Sequence, residues 1–155
     1  MPTVLKLIDY LDIYTYPYGK ANTTVINGKY EFTCQHQYYE CYGNKLHACA
    51  IHALRDVNRY VRYNACLMDR SQRLWGSDDD AVDQCGNKLG VDSNAIKICA
   101  KGNEGSALLN DYGVESKNLI LKHVPHICIN GVPVEMKEDL MQTLCDVFNN
   151  IPKAC

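Results

Sequence analysis

The sequence predicts a mixed α/β domain of the α+β kind, and three observations carry that prediction. Short apolar runs flank the tight-turn dipeptides Asn27-Gly28 and Asn130-Gly131, which mark two β-hairpins. Between the hairpins, from about Asn44 to Tyr112, apolar residues recur at helical spacing. A further helical stretch, Met136 to Asn149, follows the second hairpin.

Taken in order, Leu7 to Tyr16 partly alternate apolar and polar residues and are rich in tyrosine and isoleucine, which predicts a strand ending at the turn Pro17-Tyr18-Gly19. Tyr30 and Phe32 alternate after Asn27-Gly28 and form the return arm of the first hairpin. Asn44 to Leu67 reads as one helix, with Leu46, Cys49, Ala53, Val57 and Tyr60 on its apolar stripe and Arg55, Arg59 and Arg62 off it. A second helix covers Asp79 to Leu89 and closes at Gly90; Asp78-Asp79-Asp80 reads as its start, where the helix dipole favours negative charge. Asp92-Ser93-Asn94 caps a third, carrying Ile96, Ile98 and Cys99. A fourth runs from Glu104 to Tyr112 and stops at Gly113. His123 to Ile129 is a short strand with Pro125 near its start, and Pro133-Val134 begins the return strand.

Composition excludes several classes of function. The chain has 155 residues, enough for one domain with a sizeable core. A formal net charge of −2 gives no basic field to attract nucleic acid or acidic lipid. No apolar run approaches the roughly 20 residues a membrane span needs. The opening Met1-Pro2-Thr3-Val4-Leu5-Lys6 holds no secretion signal.

The nine cysteines point the other way. That density belongs to an oxidising compartment and a disulfide framework, and Asn22-Thr23-Thr24 is an N-glycosylation acceptor of the secretory route. A missing N-terminal segment reconciles the two. Because the cysteine count is odd, at least one thiol is free or paired outside the chain. Cys34, His36, Cys41, His47 and Cys49 fit no common zinc spacing, so no metal is expected. Cys49 and His52, one helical turn apart, read as packing plus a surface histidine.

Four segments carry a resemblance. Cys34-Gln35-His36-Gln37-Tyr38-Tyr39-Glu40-Cys41-Tyr42-Gly43-Asn44, continuing to Cys49, is similar to the C-Q-H-G-x-x-E-C-x-x-N-x-x-x-x-C signature of the gamma-interferon-inducible lysosomal thiol reductases, with Gln37 in place of the glycine. Upstream, Pro17-Tyr18-Gly19-Lys20-Ala21 resembles the family's P-Y-G-x-A. Cys99-Ala100-Lys101-Gly102-Asn103-Glu104-Gly105 resembles C-A-x-G-x-x-G. Val124-Pro125 with Asn130-Gly131 resembles V-P-x-x-x-x-N-G.

The resemblance implies a thioredoxin-like fold with a helical insertion over 45–112, in a single domain over 1–155 whose first strand–helix unit is missing. It makes Val124, Pro125 and His126 the substrate loop, with Pro125 the candidate cis-proline. It implies reduction of disulfide-bonded or unfolded proteins at acidic pH, in a lysosomal or extracellular setting, with no cofactor. The family's Cys-x-x-Cys pair lies before P-Y-G-x-A. Here 16 residues precede Pro17, none of them cysteine, so a catalytically impaired reductase is expected. The alternatives are a non-catalytic module that grips extended cysteine-containing polypeptides, and a poorly folding remnant.

Cys34, Cys41 and Cys49 are expected in structural disulfides. Cys85 with Cys99, between neighbouring helices, and Cys145 with Cys155, pinning the tail beyond Pro152, are the expected pairs among many connectivities. Cys128, beside Pro125, is the expected unpaired thiol, as a buried, inert small hydrophobe.

Overall fold

The computed structural model describes residues 2–70, 75–117, 119, 121, 123–135 and 139–155. In chain order its elements are α1 (Pro2–Leu7), β1 (Asn22–Ile26), β2 (Lys29–Thr33), α2 (Gln37–Leu54), α3 (Val57–Arg70), α4 (Asp79–Leu89), α5 (Ser93–Lys101), α6 (Asn103–Ser116), β3 (Ile127–Ile129), β4 (Val132–Val134) and α7 (Leu140–Asp146). The fold is therefore α+β, with two separate antiparallel hairpins, β1–β2 and β3–β4. The chain packs as two compact units, residues 15–120 and residues 1–14 with 121–155. Among the described residues no helix is long and apolar enough to cross a membrane.

In the larger unit, Val25 pairs with Tyr30 around Asn27-Gly28, both of which take the positive φ that this tight turn demands. Helices α2 to α5 bury one cluster that includes Leu46, Tyr63, Leu67, Val82 and Ile96. Each fully buried aliphatic side chain of this kind contributes roughly 1.5–3 kcal/mol. Local chemistry sets the helix ends. Asp78 accepts from the Ala81 amide to cap α4, Gly90 closes it at φ 65°, and Asp92 accepts from the amides of Asn94 and Ala95 to cap α5.

Two expectations in this unit change. The stretch 44–67 is not one helix. Arg55 turns to φ 56°, and the Asp56 carboxylate accepts from the Arg59 amide, capping a new helix, so the apolar stripe spans two elements. Nor does the fourth helix stop at Gly113. It continues to Ser116, because Gly113 makes room for a neighbour: a Cβ there would lie 2.5 Å from the Tyr18 ring.

In the smaller unit, Leu7, Leu144 and Cys145 are buried with Leu11, Leu140 and Phe148 around them, and the Tyr10 and Phe148 rings meet edge to face at 6.3 Å. The expected strand over 7–16 is absent. Leu7 ends a helix, Ile8–Tyr10 form a 3-10 turn, and 11–16 hold no regular structure. Leu7 and Leu11, four residues apart, join the same cluster, which is helical spacing hidden within a partial alternation. The expected strand 123–129 shortens to β3. The expected helix 136–149 shortens to α7, because Asp139 caps it by accepting from the amides of Met141 and Gln142. The part of that expectation over 136–138 lies outside the described residues.

Candidate functional site

Candidate residues cluster in two places. The first is the start of α2. Cys34 is bonded to Cys41, closing a loop over the helix's first turns. Within it, the His36 backbone N–H donates to Glu40 Oε2 at 2.7 Å, and His36 Nδ1 lies 2.9 Å from the same oxygen. Gln37 occupies φ 57°, the left-handed region that favours the glycine of the signature. Gln35 is exposed. Asn44 donates from Nδ2 to the Tyr18 carbonyl at 3.4 Å and so ties the signature to Pro17-Tyr18-Gly19.

Trp75, to which the sequence reading gave no role, completes this region. Its indole stacks on the His36 ring at 4.7 Å and 13° while remaining 70% exposed, and its own φ is 60°. The next residue fixes its place: a Cβ on Gly76 would sit 2.2 Å from the Tyr39 carbonyl oxygen, so only glycine fits there. The signal available in the sequence was a single tryptophan next to a glycine.

Behind the stack, His47 is buried and its Nε2 lies 3.0 Å from Ser77 Oγ. Burial holds its imidazole below the usual range, with the Asn64 side chain opposing. The Tyr42 hydroxyl donates to Asp79 Oδ1 at 2.5 Å, and Lys101 Nζ donates to Asp79 Oδ2 at 2.5 Å. Burial and that carboxylate push the Tyr42 phenol up. Burial works to raise Asp79, but Lys101 and Tyr42 outweigh it and hold the carboxyl below its usual range.

The second cluster is the loop before β3. The Val124–Pro125 peptide bond is cis, Val124 and Pro125 are exposed, and His126 is half-buried. Cys128 is the free cysteine, and its sulfur lies 3.5 Å from His126 Nε2. The thiol is exposed, which corrects the expectation of a buried, inert side chain.

The remaining cysteines are paired. Cys49 is bonded to Cys99 and Cys66 to Cys85, so the expected Cys85–Cys99 bridge does not form. Sulfurs on the faces that α2 shares with α5 and α3 shares with α4 took those partners, a three-dimensional adjacency that sequence order does not reveal. Cys145 is bonded to Cys155. With Cys34, Cys41 and Cys49 all in disulfides, no thiolate at the signature is available to a metal. His52 Nε2 is 3.6 Å from Glu104 and exposed. Asn22 is exposed on β1, and the neighbouring Thr23 Oγ1 shares a 2.8 Å hydrogen bond with the Tyr18 hydroxyl.

Comparison with known proteins adds the following. The family described as gamma interferon inducible lysosomal thiol reductase (GILT) matches residues 1–89. The chain is 34% identical over 139 residues to a gamma-interferon-inducible lysosomal thiol reductase-like protein of Anopheles gambiae, covering 81% of this chain and 56% of that protein. It is 32% identical over 167 residues to GILT-like protein 1 of Drosophila melanogaster, covering 97% and 67%. It is 26% identical over 163 residues to the gamma-interferon-inducible lysosomal thiol reductase of Mus musculus, covering 98% and 60%. The chain thus spans between about half and two thirds of the length of these relatives.

Proposed function

The chain belongs to the gamma interferon inducible lysosomal thiol reductase family, and from that premise we propose that it serves in the reduction of protein disulfides, in a lysosomal or extracellular setting, on a thioredoxin-like scaffold. The substrate is a disulfide-bonded or partly unfolded polypeptide. Val124, Pro125 and His126 are the surface it meets. Beside them β3 pairs, among the described residues, with β4 on one side only, so its other edge can receive an extended chain.

The observation that carries the reading of activity is the state of the nine cysteines. Eight are paired and one, Cys128, is free. Reduction of a substrate disulfide needs one thiolate to attack and a second to resolve the mixed disulfide. A lone thiol can form the mixed disulfide but cannot release it. The 155-residue polypeptide, which contains no Cys-x-x-Cys, is therefore catalytically impaired by itself.

The test is insulin disulfide reduction by the purified chain at acidic and neutral pH, with a small-molecule thiol present in every sample as the electron donor, against a sample alkylated at its thiol. The expected result is no turnover above the alkylated control, from a chain shown to be folded by circular dichroism. Alkylation-sensitive turnover would overturn it and make Cys128 the first nucleophile to replace. A second reading, a binding module for extended cysteine-containing polypeptides, is favoured by the open edge of β3 and the exposed Ile127 and Val132 beside it. Saturable binding of a reduced, alkylated polypeptide without turnover would select it.

A further inference from the structure

We propose that His36, Glu40 and Trp75 form a proton-operated clasp on the Cys34–Cys41 loop, which tightens when the His36 imidazole is protonated. The inference stands on the geometry of residues 15–120 and does not depend on the thiol-reductase reading.

The parts are set up in advance. The 13° stack at 4.7 Å puts the imidazole flat on the indole face, and Glu40 Oε2 sits 2.9 Å from Nδ1. In neutral histidine only one ring nitrogen carries hydrogen, and the bond to Glu40 requires it on Nδ1. Protonation then adds a full charge to a ring already in contact with both partners. The Nδ1–Glu40 contact becomes an ion pair, and the stacked ring becomes a cation over the electron-rich face of tryptophan. Core packing does not explain why Trp75 stays at a left-handed φ with its side chain mostly in water. The stack on His36 is the contact that orients it, and Gly76, pressed against the Tyr39 carbonyl, anchors its backbone.

Among the described residues, the charged groups around the clasp agree with this direction. On α2 the group facing His36 is Glu40. Trp75, Gly76 and Ser77 supply no titrating side chain. Beyond them, Asp78 is engaged by the Ala81 amide and Asp79 by Tyr42 and Lys101. The other imidazole bonded to this segment is His47, on Ser77, where burial disfavours the charged form. A proton on the exposed His36 thus strengthens the hold of residues 75–77 on the signature loop.

The chain has one tryptophan among eleven tyrosines, so emission excited at the red edge, where tyrosine does not absorb, reports on the surroundings of Trp75. The experiment titrates the emission of the 155-residue chain from about pH 8 to 5, the range in which imidazoles ordinarily change charge, with circular dichroism at each end. The expected result is a loss of emission on acidification, because an imidazolium in contact with indole quenches it. The loss is absent in His36→Gln and in His36→Phe, which keeps a ring on the indole but has no titrating nitrogen. It is retained in His47→Gln. A folded native chain with no such loss, or an unchanged loss in both His36 variants, would overturn the proposal.

Discussion

His126 Nε2 lies 3.5 Å from the sulfur of Cys128, and Cys128 is the one cysteine of the nine outside a disulfide. The native chain is therefore expected to react with a single equivalent of a thiol reagent, and Cys128→Ser with none. Because the side chain is exposed, that substitution should change stability by less than about 0.5 kcal/mol. A thiol titration beside a urea melt checks both statements. Two further reactive thiols in the native chain would mean that one of the four bridges is open.

The bridges should differ in weight. Cys49–Cys99 joins residues 50 apart in sequence, and Cys34–Cys41 joins residues 7 apart. By the chain-entropy estimate, closing the longer loop contributes about 4 kcal/mol and the shorter about 2 kcal/mol. Replacing Cys49 and Cys99 together by alanine should thus lower the urea midpoint well below that of the matching Cys34 and Cys41 pair. Equal losses would show that entropy is not what these bridges supply.

Gln37 stands at φ 57°, where the signature of the resemblance has glycine. A left-handed conformation costs a non-glycine residue roughly 1–2 kcal/mol. The extra freedom glycine gains in the unfolded chain returns about half of that. Gln37→Gly should stabilise the protein by about 0.5–1 kcal/mol, seen as a higher urea midpoint with an unchanged slope.

His47 fixes the sign of one pH effect. Burial lowers its folded-state pKa beneath that of the unfolded chain, so over the window between the two the unfolded state binds the extra proton. The stability it contributes is complete above the usual imidazole range, near pH 6.5, and is lost as pH falls through it, with a slope of at most about 1.4 kcal/mol per pH unit. Urea melts between pH 7 and 5 should show this fall (both values are approximate limits of the imidazole range). His47→Gln, which can still bond Ser77, should flatten it.

Gly113 and Tyr18 form a second close fit. Alanine at 113 would bring its Cβ to 2.5 Å from the ring of Tyr18, which is itself buried. Better helix propensity returns at most about 1 kcal/mol, so Gly113→Ala should be net destabilising by roughly 1–2 kcal/mol. In a Tyr18→Ala background the same substitution should be neutral or favourable, a coupling that a double-mutant cycle measures.

What was legible in the sequence is what local chemistry decides. Asn27-Gly28 and Asn130-Gly131 announced both hairpins, and Asp78, Gly90 and Asp92 marked helix ends, because a cap or tight turn needs only a few adjacent residues. The break at Arg55 was hidden: Asp56 looks like any charged residue on a helix face until its carboxylate is seen on the Arg59 amide. Gly113 misled because glycine serves equally as a stop and as a space, and only the Tyr18 ring tells which. Residues 34–49 stood out as a candidate site from their signature. The contact of His36 with Trp75, and the choice of Cys49 rather than Cys85 as the partner of Cys99, join residues far apart in the chain, and no local pattern encodes them.

The bond between Cys66 and Cys85 has a topological consequence as well. It makes residues 66–85 a covalent ring, with Trp75 on its arc. A protease that cuts the backbone once inside this ring produces a new amino terminus and a new carboxyl terminus but no separate fragment. The Cys49–Cys99 bond spans the same cut, so the nicked molecule travels as one species on a gel until a reductant opens both bonds, and the two pieces then part. In a compartment rich in proteases, such a chain can be clipped and still keep both halves together.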